Sequence, residues 1–306
     1  MNKKTFKTVL STVAAAVALS ACTMIPKYEQ PQVEVAETFK YDTFDDGIRA
    51  ADLGWQDFFA DPRLHRLIDI ALERNTDLRT AALNAEIYRK QYMIARNDLL
   101  PSINAIGTGT RTGSLSGGVT RSEYSVGLGA AAYELDLFGR VRSNSQAALQ
   151  GYFSVAANRD AAHLALIAAV AKAHFNELYA QESMALAQRV LKTREATYKL
   201  SQMRHKAGVI SAVDLRQQEA LIESAKADYA NAVKNREQAR NALATLINQP
   251  LPDDLPAALP LSKQFKITRL PAGLSSEVLL NRPDIRAAEH SLKQANANIG
   301  AARAAF

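Results

Sequence analysis

The chain has 306 residues, and its 37 basic and 31 acidic side chains give a formal net charge of +6. The first 21 residues hold three of the lysines and no acid, so the remainder carries 34 basic against 31 acidic residues, which excludes the concentrated basic charge of a nucleic-acid-binding protein. An alanine-rich chain with 14 glycines and 7% aromatic residues favours long helices over a compact core.

The first residues predict an export signal that ends at a lipid-attachment cysteine. Three lysines precede an apolar stretch from Val9 to Leu19, which is shorter than the about 20 residues that a membrane-spanning helix needs. The run Leu19-Ser20-Ala21-Cys22 resembles a bacterial lipobox, and Cys22 is the only cysteine. Lipid attachment is the best use of a lone cysteine, with a chance cysteine at an ordinary cleavage site as the alternative. We therefore predict a signal peptide over residues 1–21 and acylation of Cys22.

Residues 22–60 and 61–101 predict an extended arm followed by two helices. The arm contains prolines and shows no clear period. From Asp61 onward, apolar residues recur every three or four positions on one helical face. These residues are Leu64, Leu67, Ile68, Ile70 and Ala71. After an interruption at Asn75 and Thr76, a second helix is expected over residues 77–99, because Pro101 disfavours helical geometry in the residue before it.

Residues 102–133 show the two-residue period of β-strands. Tyr124, Val126 and Leu128 alternate with small or polar residues, so this strand has one apolar face. Residues 102–112 form the predicted partner strand. Strands of about ten residues can cross a membrane when tilted, although a hairpin of a soluble sheet has the same period. Since two strands cannot close a barrel, a membrane hairpin would share one with other copies or repeats.

Residues 134–250 predict a long antiparallel pair of helices. Nothing breaks the helical pattern from residue 138 to residue 206, which corresponds to about 100 Å of helix. A rod of that length needs a partner beside it. Residues 212–247 supply one, because apolar residues recur there every seven positions and alanines often lie three positions further on. The apolar series is Leu215, Ile222, Tyr229 and Leu243, interrupted by Arg236.

The end of the chain repeats a segment near its beginning. The stretch Asn75-Thr76-Asp77-Leu78-Arg79-Thr80-Ala81 is echoed by Asn281-Arg282-Pro283-Asp284-Ile285-Arg286-Ala287-Ala288, at an offset of 207 residues. We therefore interpret residues 251–276 as a linker and residues 277–306 as the start of a second repeat. In the first copy the strand pair follows at once, whereas here the sequence ends at Phe306, so we expect a C-terminally truncated chain, either a fragment of a longer protein or the product of a premature stop.

No catalytic or metal-binding constellation stands out. The five histidines are His65, His163, His174, His205 and His290. Their spacing is not that of metal ligands, and neither a nucleophile elbow nor a phosphate-binding loop is present. We interpret His163 and His174 as helix-surface or seam residues, and we expect no enzyme, no metal and no cofactor.

The turn between the two long helices has a local explanation in its sequence. Gly208 is suited to the left-handed geometry that ends a helix, and the three basic residues before it suit the negative end of the helix dipole. The run Ser211-Ala212-Val213-Asp214 has the form of a capping box that would start the next helix.

Four stretches, taken in order behind a lipobox, resemble the outer-membrane efflux protein family of TolC-type factors, in its acylated NodT-like branch. They are Gly54-Trp55-Gln56-Asp57-Phe58-Phe59-Ala60-Asp61-Pro62, Tyr133-Glu134-Leu135-Asp136-Leu137-Phe138-Gly139-Arg140, Lys206-Ala207-Gly208-Val209-Ile210-Ser211 and Leu280-Asn281-Arg282-Pro283-Asp284-Ile285-Arg286. The resemblance implies a mainly α fold with a transmembrane β-hairpin, in which three copies form one β-barrel in the outer membrane and an α-barrel of paired helices in the periplasm. The first of two repeats would be complete and the second cut short.

The resemblance also implies a role and partners. It predicts a homotrimeric, lipid-anchored outer-membrane channel that passively exports drugs or other small solutes, joined by a periplasmic adaptor protein to an inner-membrane pump. Gly208, Val209 and Ile210 match the family's adaptor-docking tip, and exposed Val and Ile with no core to enter agree with docking. Asp214 matches an acid that holds the entrance closed, with the capping box as the rival interpretation. The alternative function is a periplasmic adaptor or an envelope-bridging lipoprotein with a coiled-coil hairpin.

Overall fold

The computed structural model describes residues 23–30, 53–113, 121–130, 133–267 and 276–305. The predicted signal peptide, Cys22, most of the predicted arm and most of the loop between the strands lie outside the described residues. The chain divides into two compact units. The first unit takes residues 1–34, 82–158 and 283–306, and the second takes residues 35–81 and 159–282.

The described elements are mainly helical, which confirms the predicted fold class. In chain order they are α1 (Trp55–Phe58), α2 (Pro62–Arg74), α3 (Thr76–Asn97), β1 (Ile103–Thr112), β2 (Arg121–Ala130), α4 (Arg140–Lys206), α5 (Ala212–Leu246) and α6 (Pro283–Arg303), with short 3₁₀ turns at Leu261–Lys263 and Ser276–Asn281. Helices α2 to α5 begin and end within two residues of the predicted bounds, whereas α1 lies in the predicted extended arm. Across the described ranges, no helix combines the length and the apolar character needed to cross a membrane.

The predicted repeat finds support in the bounds of two helices. The offset of 207 residues carries the first residue of α3, Thr76, onto the first residue of α6, Pro283. The last residue of α3, Asn97, falls one position beyond the last residue of α6, Arg303. Two helices of 22 and 21 residues thus occupy equivalent positions in the sequence.

The core of the second unit is built on α2. Its buried residues are the five apolar residues that define its predicted stripe, Leu64, Leu67, Ile68, Ile70 and Ala71. They form one cluster with residues of α4 and α5, among them Val170 and Leu243, which are both fully buried. Burying a Leu, Ile or Val side chain contributes about 1.5–3 kcal/mol each, so this cluster supplies much of the unit's stability.

The helix pair α4–α5 is packed unevenly along its length. In α5 the buried residues Ile222, Ala225, Ala239 and Leu243 all belong to the predicted heptad positions. Toward the turn, however, residues 181–221 include no buried residue. Alanine at the seam lets the backbones approach closely, but it also leaves little apolar area for the two helices to bury between themselves.

Residues 53–60 and 251–267 are packed segments, which corrects their prediction as the end of an arm and as a linker. Backbone hydrogen bonds join them, from Ala60 N to the oxygen of Gln264 at 2.8 Å and from Lys266 N to the oxygen of Phe58 at 3.0 Å. The Phe265 ring lies 5.3 Å from the Phe58 ring between centroids. These contacts join residues about 200 positions apart, so no local period announces them.

A buried carboxylate, Asp61, holds this junction together. Its side chain is fully buried and accepts hydrogen bonds from the amides of Arg63 at 2.8 Å and Leu259 at 3.1 Å. The Nε2 atoms of Gln264 and His174 each lie 3.0 Å from its second oxygen. Burial alone would raise the pKa of Asp61, but these hydrogen bonds outweigh burial and lower the pKa. The carboxylate therefore caps α2 and also ties α4 to the segment around residue 260.

His174 is fully buried. Of the two positions predicted for it, helix surface or seam, the helix surface is therefore wrong. Burial lowers its pKa, and the nearby Asp61 carboxylate offsets only part of that effect. The ring is therefore neutral near pH 7 and donates its Nε2 proton to Asp61, while Nδ1 finds no partner among the described residues.

We expect acid to destabilise the fold through His174. Its pKa in the folded chain lies below its ordinary value of 6.5, so as the pH falls through 6.5 the unfolded chain binds a proton that the folded chain does not. The free energy of unfolding then falls by at most about 1.4 kcal/mol per pH unit. Urea unfolding in detergent from pH 7.5 to pH 5 measures this loss. His174→Gln keeps an N–H donor and does not titrate, so its stability should depend less steeply on pH; identical slopes for the two proteins would contradict the prediction.

Candidate functional site

The turn between α4 and α5, residues 207–210, contains the predicted docking tip, Gly208, Val209 and Ile210. Gly208 has a positive φ of 74°. The amide of Gly208 donates to the oxygen of His205 at 2.9 Å, and the amide of Val209 donates to the oxygen of Arg204 at 2.9 Å. This pair of bonds is the Schellman motif, which satisfies the last carbonyls of a helix and requires a left-handed residue where Gly208 stands. The predicted helix stop is confirmed.

The other side of the turn is fixed by a capping box. The Asp214 amide donates to the Ser211 hydroxyl oxygen at 3.1 Å, and the Ser211 amide donates to the Asp214 carboxylate at 3.1 Å. The hydrogen bonds from the side chain and the backbone of Ser211 lower the pKa of Asp214. The two backbone hydrogen bonds confirm the predicted capping box. Because its pKa is lowered, the Asp214 carboxylate is charged at neutral pH.

The turn presents apolar side chains to solvent although its backbone is rigid. Val209 is 62% exposed, and Met203 and Val213 on either side are 55% and 66% exposed. Ile210 is half-buried, and its carbonyl accepts a hydrogen bond from Nδ1 of His205 at 3.1 Å. A rigid turn that carries exposed apolar groups loses little conformational entropy when a partner covers it.

The strand pair β1–β2 is the predicted membrane hairpin, and its register sorts its residues onto two faces. Opposed residues share a face, and Leu128 lies opposite Ala105, Val126 opposite Gly107, and Tyr124 opposite Gly109. Tyr124, Val126 and Leu128 are more than 80% exposed. The other face is mostly polar, with a hydrogen bond of 2.5 Å between the hydroxyls of Thr108 and Ser125. In the described residues these two strands form a sheet of two, which leaves both outer edges unpaired.

Residues 133–140, which lead into α4, are held by several hydrogen bonds. The Asp136 carboxylate accepts hydrogen bonds from the amides of Val141 at 3.1 Å and Arg142 at 2.9 Å, so it caps the first turn of α4. Burial alone would raise the pKa of Asp136, but these bonds outweigh burial and lower the pKa. Glu134 pairs with Arg140 through two hydrogen bonds. Gly139 takes a positive φ of 81° at the start of the helix. The sequence stretch from Tyr133 to Arg140 therefore fixes the start of α4, a role that its motif alone did not reveal.

Acidic and histidine side chains are scattered over the described residues. These residues contain no group of three or more His, Cys, Asp or Glu side chains arranged to hold a metal. The most deeply buried ionisable pair, Asp61 and His174, is enclosed by Gln264 and the backbone and serves the packing described above.

A very long helix and an exposed amphipathic strand pair define the structural class of this protein. Sequence comparison identifies its family. Residues 67–249, more than half of the chain, match the family described as "Outer membrane efflux protein". The chain belongs to the outer membrane efflux protein family.

Individual relatives agree with this assignment. The toluene efflux pump outer membrane protein TtgC of Pseudomonas putida is 42% identical over an alignment that covers 98% of this chain and 64% of TtgC. The open state of the Neisseria gonorrhoeae MtrE outer membrane channel superposes with a TM-score of 0.82 at 72% identity, covering 93% of this chain and 64% of MtrE. A crystal structure of CusC superposes with a TM-score of 0.79 at 37% identity. The chain thus spans about 64% of the length of the relatives that it matches.

Proposed function

We propose that this protein is the outer-membrane channel component of a tripartite efflux system, a passive duct for drugs or other small solutes and not an enzyme. The observation that carries the proposal is the strand pair, whose apolar side chains Tyr124, Val126 and Leu128 are each more than 80% exposed, in a chain of this family that also has a 67-residue helix. Such a face is stable in contact with lipid, whereas in water it would promote aggregation. The relatives named as efflux channels support the same conclusion.

The proposal requires partner copies. A two-stranded sheet cannot lie alone in hydrocarbon, because each unsatisfied edge group costs several kcal/mol there. The helix pair needs cover as well, since Leu186, Val190 and Leu200 of α4 are all more than 40% exposed. We propose a homotrimer, in which neighbouring copies cover these helices and the strands close into one barrel.

The proposal also includes an anchor and two protein partners. Acylation of Cys22 would attach the protein to the outer membrane, with the helices extending into the periplasm. The tip residues Gly208, Val209 and Ile210 would contact a periplasmic adaptor, which in turn joins an inner-membrane pump. The exposed Val209 on a fixed backbone supports this contact.

We expect the apolar face of the strand pair to be essential for channel formation. Val126→Arg places a charge near the middle of β2, where transfer to lipid costs about 2–4 kcal/mol per chain. Ser125→Arg, one residue away, places the same charge on the polar face. In planar bilayers, protein purified from outer membranes should give conductance steps, Ser125→Arg should retain them, and Val126→Arg should lose them. Absence of conductance from the unmodified protein would favour an adaptor or envelope-bridging role.

A charged side chain at the tip should separate docking from conduction. Val209→Asp leaves the Schellman bonds and the strand pair intact but would bury a charge against an adaptor, which costs about 2 kcal/mol or more. In cells that carry the adaptor and pump of the same system, dye efflux should fall at least about tenfold. Conductance in planar bilayers should be unchanged. Val209→Ile is the matched control; normal efflux with Val209→Asp would exclude docking through this residue.

The Asp214 carboxylate has two proposed roles that one substitution distinguishes. Asp214→Asn retains an oxygen that accepts the Ser211 amide, so the start of α5 should keep its protection against hydrogen exchange. If the charge also closes the entrance, the same variant should conduct more than the unmodified channel. Asp214→Ala, which removes cap and charge together, reports the combined effect. Unchanged conductance in both variants would leave Asp214 with the capping role alone.

A further inference from the structure

Residues Thr23–Gln30, here called the N-terminal segment, lie along α6. The side chain of Asn296 donates a hydrogen bond to the carbonyl of Pro26 at 2.7 Å. The ammonium group of Lys293 lies 5.1 Å from the centroid of the Tyr28 ring, which is within the range of a cation–π contact. Ile25, Pro26 and Tyr28 are half-buried, whereas the other residues of the segment are exposed. The segment therefore packs against α6 with one side and exposes the other side to solvent.

Gly300 permits the closest part of this contact. A Cβ atom at position 300 would lie 2.8 Å from both the amide nitrogen and the Cα of Ile25, which is closer than real Cβ atoms come to backbone. Glycine inside a helix costs about 1 kcal/mol relative to alanine. At this position that cost is offset by the approach of a second backbone, which only glycine allows.

The place of Gly300 along the first unit follows from how α6 runs beside α4. The hydroxyls of Ser154 and Ser291 lie 2.8 Å apart, and Gly151 faces the side chain of Gln294. Residue numbers rise along α6 as they fall along α4, so the two helices are antiparallel. Six residues beyond Gln294, Gly300 lies level with the first two turns of α4. Those turns begin ten residues after the end of β2 in the sequence.

We propose that Gly300, Asn296 and Lys293 form a seat on α6 that holds the N-terminal segment and thereby fixes the lipid anchor at the strand-pair end of the first unit. Cys22 is three residues before Ile25, so its Cα lies within about 11 Å of the Ile25 Cα. This inference rests on the proposed acylation of Cys22. The anchor would then hold the strand pair at the membrane surface at high effective concentration before insertion.

The seat can be tested by proteolysis at Lys27, whose side chain is 87% exposed. Trypsin needs the chain around the cleaved bond to leave its packed position, so a seated segment resists cleavage. In outer-membrane vesicles, Gly300→Ala should speed the appearance of the new N-terminus at Tyr28 about tenfold, measured by mass spectrometry. Asn296→Ala, which removes one hydrogen bond, should give a smaller acceleration.

The matched control is Gly151→Ala in α4. There the added Cβ would meet only the end of the flexible Gln294 side chain, at 3.0 Å, so Lys27 should be cleaved at the unmodified rate. Alanine favours helix at both positions, so loss of helix cannot explain a difference between the two variants.

Equal cleavage rates for Gly300→Ala, Gly151→Ala and the unmodified protein would overturn the seat. The intact mass of the same samples reports acylation separately. A Cys22 without acyl groups would overturn the anchoring while leaving the cleavage result to judge the contact with α6. The lack of conductance in planar bilayers, by contrast, would reject the channel alone.

Discussion

A helix of 67 residues is the element on which the other described elements depend. It extends for about 100 Å, and an isolated helix is held only by local hydrogen bonds and weak propensities. Its stability must come from packing along its sides, and different elements provide that packing along different stretches of the helix. Near residue 170, α2 and the end of α5 bury Leu and Ile side chains against it. Near residue 150, α6 contributes small residues and hydroxyl groups instead. From residue 181 to the turn, α5 lies beside it and none of residues 181–221 is buried, so the helix pair keeps surface there that a partner can cover.

Polar side chains at the joints set where each helix begins. Asp61 caps α2, the Asn75 side chain accepts the amides of Asp77 and Leu78 at 3.0 Å, and Asp136 caps α4. Two of these caps also bind a distant segment. Asp61 accepts the Leu259 amide, and the Asn75 side chain donates to the oxygen of Leu246 at 3.1 Å. One side chain therefore fixes a helix end and a tertiary contact together, which keeps the joints rigid where the apolar core is thin.

Elements held by short-range interactions could be predicted from the sequence, whereas contacts between distant residues could not. The periods in the sequence predicted α2, α3, the strand pair and the α4–α5 pair, because the signals of helix and strand lie within a few residues. The glycine stop at Gly208 and the capping box at Asp214 were predictable for the same reason. The packed segment around Gln264 and the seat at Gly300 were not, since their partners Asp61 and Ile25 lie more than 200 residues away. The sequence predicts Asp61 only as a cap of the helix that starts at Pro62. The partners of its second carboxylate oxygen, Leu259, Gln264 and His174, are known only from the structure.

The proposed anchor and strand pair solve one thermodynamic problem together. A lone strand pair gains from placing Tyr124, Val126 and Leu128 in lipid, but its two open edges would lose several kcal/mol for each unpaired backbone group. Insertion is therefore favourable only when strands from other copies or from a further repeat are present to pair with those edges. Until then the chain has to remain at the membrane without inserting. Acyl chains on Cys22 can provide that residence at no cost in backbone hydrogen bonds, and a seat on α6 would keep them beside the strands that are to insert.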